Sequence, residues 1–157
     1  MNIHILPILL FFICGCNLSN SQNSQEMKTQ QIDIIQVFLD QVKEQTNIES
    51  MILSTFPRAA MYKEADSTDA KMVWDACLQK MTDLQTDIQT KEYAIKAWKD
   101  SEKDNPETHD LLEGNQADGL VYVIWINDHP THYIKLENGS IQSILPMMKS
   151  GTITGWL

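Results

Sequence analysis

The longest regular pattern in this sequence is a run of apolar side chains that recur every three or four residues. The run opens after Ser67, whose hydroxyl can cap free backbone amides at a helix start, and it reaches Trp98 with an interruption at Lys91. Its members are Ala70, Trp74, Cys77, Met81, Leu84, Ile88, Ile95 and Trp98. This spacing places apolar side chains on one helical face. The sequence therefore predicts one long amphipathic helix, whose apolar face another surface must cover.

Two partners could cover that face, a second copy of the helix or the rest of this chain. Coiled-coil seams repeat Leu and Ile, whereas this seam mixes Trp, Cys77 and Met81, which suits an irregular surface within the chain. We expect a first helix between Met27 and Val42, whose apolar residues have the same spacing. A capping box at Thr46–Glu49 predicts a short second helix that ends before Pro57.

Strand signals fill the C-terminal part of the chain. Leu120–Asn127, LVYVIWIN, is rich in β-branched and aromatic residues and is apolar at both odd and even positions, so we predict a strand covered on both faces. Asn138-Gly139 predicts a hairpin, in which Leu136 lies opposite Ile141 and Tyr133 lies opposite Ile144. We expect residues 152–157 to add a last short strand to the same sheet.

Helices followed by strands indicate an α+β fold, with the N-terminal helices packed on an antiparallel sheet of three to four strands. One face of the LVYVIWIN strand must pack against those helices, and the opposite face needs another segment to cover it. If no segment covers the opposite face, that face is an open apolar surface of the kind that binds ligands or proteins. Alternatively, the N-terminal helix or the PMMK segment covers it. The candidate binding surface consists of Val121, Val123, Trp125, Tyr133 and Trp156.

The N-terminus carries an apolar run of eleven residues, Ile3–Ile13, well short of the roughly 20 residues that a helix needs to cross a bilayer. A short apolar core followed by small residues is typical of a secretory signal peptide. The run ends in Ile13-Cys14-Gly15-Cys16. The end of the run therefore decides how the chain is processed.

Ile13-Cys14-Gly15-Cys16 resembles the lipobox of bacterial lipoproteins, in which the cleaved bond precedes the modified cysteine. Cys16 fits that position because Gly15 precedes it, whereas Cys14 would follow the bulky Ile13. The resemblance implies diacylglyceryl attachment to Cys16 and acylation of the new amino terminus, so that the protein is anchored to the membrane without spanning it. Asn17 favours the outer membrane if the cell is Gram-negative. An ordinary secretory signal and a C-x-C metal pair remain as alternatives.

The resulting organisation is a signal peptide over residues 1–15, a lipidated cysteine with a flexible tether over 16–26, and a single α+β domain over 27–157. The formal net charge is −9, and all charged side chains follow position 15. An acidic surface repels phosphate backbones. We therefore expect the membrane, through the lipid anchor, and an envelope or secreted protein as partners, and no nucleic acid.

Motifs of known chemistry are missing from the sequence, including a phosphate-binding glycine loop, a nucleophile elbow and H-E-x-x-H. His129 and His132 could chelate a metal beside Asp128, but the sequence specifies no further ligand nearby. We therefore predict no catalytic residue, metal or cofactor. The predicted function is non-enzymatic binding or scaffolding at the envelope, including an inhibitor or immunity-type role. The alternative is an envelope hydrolase that could depend on a metal.

Overall fold

The computed structural model describes residues 18–101, 120–149 and 152–156. The chain divides into two compact units, one that ends at Gln30 and one that runs from Gln31 to Leu157. All tertiary contacts reported below lie within the second unit.

Five helices and six strands are formed by the described residues. The helices are α1 (Leu18–Glu44), α2 (Ile48–Thr55), α3 (Ala59–Glu64), α4 (Thr68–Thr90) and α5 (Trp98–Ser101). The strands are β1 (Tyr93–Ala97), β2 (Val121–Ile126), β3 (His129–Glu137), β4 (Ser140–Ser143), β5 (Pro146–Lys149) and β6 (Thr152–Trp156). An antiparallel four-stranded sheet has the order β1-β2-β3-β4. The α+β prediction is confirmed.

Helix α1 begins at Leu18, so residues 18–26, predicted to be a flexible tether, are helical in the structure. The physical reason lies in composition. The stretch contains neither glycine nor proline, and its Ser, Asn and Gln side chains carry only modest helix penalties, so a helix can extend through it. Cys16 and the signal peptide lie outside the described residues.

Helix α4 begins where the sequence predicted and ends earlier. The Ser67 hydroxyl accepts a hydrogen bond from the Ala70 amide at 3.1 Å, but the helix ends at Thr90, and the Lys91 amide donates to the Asp87 carbonyl. The next residues form β1, the edge strand that pairs with β2. The prediction of one helix to Trp98 was wrong because the later apolar residues suit strand alternation as well as helical spacing.

The main core lies between the helices and one face of the sheet. Its fully buried side chains include Ile35, Leu39 and Val42 of α1, Ile52 of α2, Met81 and Leu84 of α4, Tyr122 and Ile124 of β2, and Ile134 and Leu136 of β3. The apolar face of α4 is therefore covered within the chain. Each such aliphatic side chain contributes roughly 1.5–3 kcal/mol through burial.

Glutamines of α4 hold the carboxyl end of α1. The last carbonyls of a helix have no partner within the helix. Gln85 Nε2 donates to the carbonyl oxygens of Val42 and Gln45 at 2.7 and 2.6 Å, and Gln89 Nε2 donates to that of Lys43 at 2.6 Å. These bonds fix the position of α4 against α1.

Helix α2 is capped one residue later than predicted. The Asn47 side chain accepts from the Ser50 amide at 2.9 Å, and the capping box from Thr46 to Glu49 does not form. Asparagine is at least as good a cap as threonine. The predicted end before Pro57 is confirmed, since α2 stops at Thr55.

The β3–β4 hairpin has the predicted turn and part of the predicted register. Asn138 and Gly139 both have positive φ, at 51° and 74°, as a two-residue hairpin turn requires, and Leu136 pairs with Ile141. A bulge between Lys135 and Leu136 then shifts the register, so Lys135 pairs with Ser143, and the predicted pairing of Tyr133 with Ile144 was wrong.

The bulge decides which side chains share a face. A shift of one residue moves a strand's side chains to the opposite side of the sheet. Ile144 consequently joins the helix-side core with Ile134, whereas Tyr133 packs on the other side. The chain then forms a separate two-stranded sheet from β5 and β6, so the last strand does not extend the main sheet and PMMK is itself a strand.

Candidate functional site

The face of the sheet that points away from the helices carries an aromatic cluster. Val121, Val123 and Trp125 lie on it, with exposed fractions of 3%, 0% and 5%. Tyr133 and Trp156 pack against them. The structure thus brings the whole predicted candidate surface together. The β2 side chains are buried, while Tyr133 and Trp156 are partly buried. The face is therefore largely covered, which is the alternative that the sequence left open.

Trp98 is the member of the cluster that sequence reasoning missed. It is 3% exposed, and its ring centroid lies 6.1 Å from that of Tyr133. Sequence reasoning placed Trp98 in the seam of the long helix, and only the early end of α4 turns it to the sheet. The described residues that cover this face therefore come from α5 and β6. The prediction had named the N-terminal helix or the PMMK segment instead.

Two indole donors beside this face have no acceptor. Within the described part of the chain, Trp125 Nε1 and Trp156 Nε1 are buried without a hydrogen-bond partner. A buried donor without a partner costs free energy, of order 1–3 kcal/mol. Lys96 Nζ lies 4.2 Å from the centroid of the Trp125 ring, a cation–π contact that engages the ring and leaves its N–H unpaired.

A cavity of about 140 Å³ opens beside the cluster, where the α2–α3 turn and α4 meet β4 and β6. We call it the Trp156 cavity. Most of its wall is apolar, and the lining includes Phe56, Tyr62, Cys77, Met81, Ile144 and Trp156. A small set of polar side chains around an apolar wall is the usual composition of a ligand site.

Three charged side chains line the Trp156 cavity. They are Arg58 after α2, Lys135 in β3 and Glu137 at the end of β3. Arg58 and Glu137 are exposed, and Lys135 is half-buried. The lining therefore carries a net charge of about +1 in a chain whose net charge is −9. The lining of the cavity is therefore positive, whereas the chain as a whole is negative.

The thiol of Cys77 belongs to the cavity wall. It is half-buried and free, and burial raises its pKa above the ordinary value of a thiol. A raised pKa means less thiolate at neutral pH and slower nucleophilic reaction. The arrangement therefore suits a wall residue more than a nucleophile.

Histidine and carboxylate do meet in the structure, between α4 and β3. His132 is 6% exposed, and its Nε2 lies 2.7 Å from Asp87 Oδ2, while Lys91 Nζ lies 2.6 Å from Asp87 Oδ1. Because an ionised carboxylate only accepts, the imidazole donates through Nε2–H. The pair thereby connects a helix to the sheet.

The pKa values of this pair shift for different physical reasons. Burial lowers the pKa of His132, and the hydrogen bond to Asp87 offsets part of that effect. Burial opposes ionisation of Asp87, but hydrogen bonds from Lys91 and His132 outweigh it and lower the pKa of the carboxyl group. The imidazole is thus held neutral beside an ionised carboxylate.

The structure does not bring His129 and His132 together as metal ligands. His129 is exposed at the start of β3, while His132 points towards α4, as alternation along a strand dictates. No group of three or more His, Cys, Asp or Glu side chains in residues 18–101, 120–149 and 152–156 could hold a metal. His109 lies outside the described residues.

Neither a protein-family model, nor a curated protein, nor a solved structure matches this chain. None of the described helices is long and apolar enough to cross a membrane.

Proposed function

We propose that this chain is a membrane-anchored envelope lipoprotein that acts as a non-enzymatic binding or scaffolding module. The observation that carries the proposal is the apolar run that ends in Ile13-Cys14-Gly15-Cys16. Cleavage before Cys16 would leave a cysteine at the new amino terminus, with a thiol and an amine that acyl chains can modify.

The physics of lipid anchoring supports a permanent attachment. Each buried methylene contributes roughly 0.8 kcal/mol, and stable anchoring needs at least two signals. Diacylglyceryl on the Cys16 sulfur plus one acyl chain on its nitrogen gives three chains. The α+β domain would then stay at the membrane surface, on the outer membrane if the cell is Gram-negative.

Two features of the domain favour binding over catalysis. The His132–Asp87 pair joins α4 to β3 inside the protein, so its hydrogen-bonding capacity serves the fold. The Trp156 cavity, by contrast, combines apolar walls with charged side chains, as binding sites do. An envelope or secreted protein is the proposed macromolecular partner, including one that this domain inhibits or neutralises.

Cys16→Ser and Cys14→Ser form a matched pair of variants for the anchor. In a bacterial host fed labelled palmitate, we expect the wild type and Cys14→Ser to incorporate label and Cys16→Ser to incorporate none. Globomycin, which blocks lipoprotein signal cleavage, should leave the larger precursor uncut. Label on Cys16→Ser, or an unacylated amino terminus by mass spectrometry, would refute the anchor.

The binding role is tested by retention of a partner. The tagged full chain, reconstituted in lipid, is incubated with envelope extract and crosslinked, and an excess of untagged protein competes for the partner. We expect saturable retention of a defined protein that the competitor removes. Retention that the competitor leaves unchanged would contradict a specific binding module.

A further inference from the structure

The volume of the Trp156 cavity limits the size of the ligand group that it can bind. Its volume is about 140 Å³. An engineered apolar cavity of about 150 Å³ takes up a benzene molecule. The space therefore fits one aromatic ring or a short branched chain, and a long acyl chain is too large for it.

The apolar wall of the cavity suits an apolar group of a ligand. Phe56, Met81 and Ile144 contribute ring, thioether and aliphatic surface from three different elements. Burying an apolar group of this size against such a wall is favourable by roughly 25 cal/mol for each Å² removed from water. Shape and polarity together select a compact hydrophobic ligand group.

Two positively charged side chains of the cavity can bind an anionic group of a ligand. Arg58, from the α2–α3 turn, and Lys135, from β3, both line the cavity. In the described part of the chain, neither forms an ion pair with a carboxylate. Arg and Lys recognise carboxylates by charge-assisted hydrogen bonds, which are shorter and stronger than neutral ones. Glu137 offsets one of the two positive charges and disfavours ligands of high negative charge.

Trp156 lines the cavity, and its polar atom lies inside the fold. Its Nε1 donor is buried without an acceptor among the described residues. Buried polar groups normally have a partner. Because a water-sized probe does not reach this atom, the Trp156 side chain offers a ligand its ring surface and not its N–H group.

We propose that the Trp156 cavity binds a small monocarboxylate with one aromatic ring or a short branched chain. The apolar group occupies the wall between Phe56 and Met81, and the carboxylate meets Arg58 and Lys135. The proposal deepens the binding role proposed above, since it names the ligand class of one site of the same module.

The thiol of Cys77 offers a direct readout, because it lies in the same wall. The full chain in lipid nanodiscs is treated with N-ethylmaleimide, and mass spectrometry of the Cys77 peptide gives the rate of alkylation. Phenylacetate is the probe, and phenylacetamide is its neutral control. We expect phenylacetate to slow alkylation saturably, and the amide to do so much less at the same concentration.

Charge variants with a matched control sharpen the test. Arg58→Gln and Lys135→Gln should each weaken phenylacetate binding by about five- to tenfold, since each removes one charge-assisted contact at a partly exposed site. Lys71→Gln, at an exposed position of α4 outside the cavity, should change binding less than about twofold, as a typical surface substitution does. Unchanged thermal unfolding temperatures would show that the variants are folded.

Two results would overturn the proposal. Equal protection by phenylacetate and phenylacetamide would rule out carboxylate recognition, and the absence of protection up to about 10 mM probe would rule out a site of useful affinity. Neither result touches the lipid anchor or the protein partner, which palmitate labelling and competed crosslinking test separately.

Discussion

The two faces of the four-stranded sheet are both apolar, and they differ in how their polar atoms are paired. On the helix side, Tyr122 donates its hydroxyl hydrogen to Gln31 Oε1 at 2.6 Å, and His132 is bonded to Asp87. Beside the other face, Trp125 Nε1 and Trp156 Nε1 have no acceptor among the described residues. Among the described residues, the buried side-chain polar atoms of the helix side are paired, and the two indole donors of the aromatic side are not.

This difference separates a structural surface from one with unused hydrogen-bonding capacity. A satisfied buried network fixes one arrangement of a core, whereas an unsatisfied buried donor lowers stability. Trp156 belongs to both the aromatic cluster and the cavity, because it packs against the cluster and also lines the cavity. The Trp156 ring therefore links the aromatic side to a cavity whose other walls belong largely to the helix-side core.

The largest expected effect is on the helix side of β2. Ile124 is fully buried in the main core, so Ile124→Ala should lower the free energy of unfolding by about 2–5 kcal/mol, through lost burial and the cavity it leaves. Its neighbour Val123 is equally buried on the aromatic side. Val123→Ala removes one side-chain carbon fewer than Ile124→Ala, so it should lower the free energy of unfolding by less. Urea unfolding of both variants measures the difference.

If Val123→Ala were the more destabilising of the two, the main contribution to stability would come from the aromatic cluster. The comparison of the two faces would then be reversed. Equal urea m-values would show that the denatured states are comparable.

The next effect concerns the link between α4 and β3. Asp87→Ala leaves the buried His132 Nε2–H without its acceptor, which should cost about 1–3 kcal/mol. Asp83→Ala, one turn earlier on the same helix, removes a carboxylate whose partner is the exposed Gln79, and a surface change of this kind stays within about 0.5 kcal/mol. Similar urea midpoints for the two variants would contradict a stabilising role of the His132–Asp87 bond.

A smaller effect should appear as the pH falls. Burial keeps the pKa of His132 below its ordinary 6.5, so the unfolded chain takes up a proton at a higher pH than the folded chain. The contribution of His132 to stability is therefore complete above pH 6.5 and is lost as the pH falls from there through the lower folded pKa. Asp87, whose folded pKa lies below 3.8, adds a further loss only in stronger acid.

Urea midpoints of wild type and His132→Gln between neutral pH and pH 5 measure this loss. The wild-type curve should fall more steeply than that of His132→Gln, and His129→Gln, at the exposed start of the same strand, should follow the wild type. Parallel curves for wild type and His132→Gln would show that another group controls the acid response.

Local patterns predicted the elements whose signal lies within a few residues. The cap at Ser67, the doubly covered strand β2 and the Asn138-Gly139 turn are of this kind. The end of α4 was missed because Ile95 fits helical spacing after Ile88 and also strand alternation between Tyr93 and Ala97. Sheet pairing with β2 decided between the two. A propensity that is ambiguous locally is settled by tertiary contacts.

The sites depend on contacts that no local pattern contains. The residues of the candidate surface were named from strand patterns. The burial of those in β2 depends on Trp98 and Trp156, which lie far from β2 along the chain. The Trp156 cavity joins Arg58 to Lys135 and Trp156, and no spacing rule relates these positions. The bulge opposite Lys135 inserts Gln142 into β4, which alternation alone does not predict.

The smallest expected effect compares one hydrogen-bonding group on each face. Tyr122→Phe removes the hydroxyl that donates to Gln31, and the loss of one such bond should destabilise the protein by about 0.5–1.5 kcal/mol. At Trp125, a benzothiophene analogue of tryptophan keeps the bicyclic ring and replaces the unpaired N–H by sulfur. Because no hydrogen bond is lost there, its unfolding free energy should equal or exceed that of the wild type. Destabilisation by the analogue as large as that by Tyr122→Phe would mean that the Trp125 donor is paired in solution, and the contrast between the two faces would then rest on Trp156 alone.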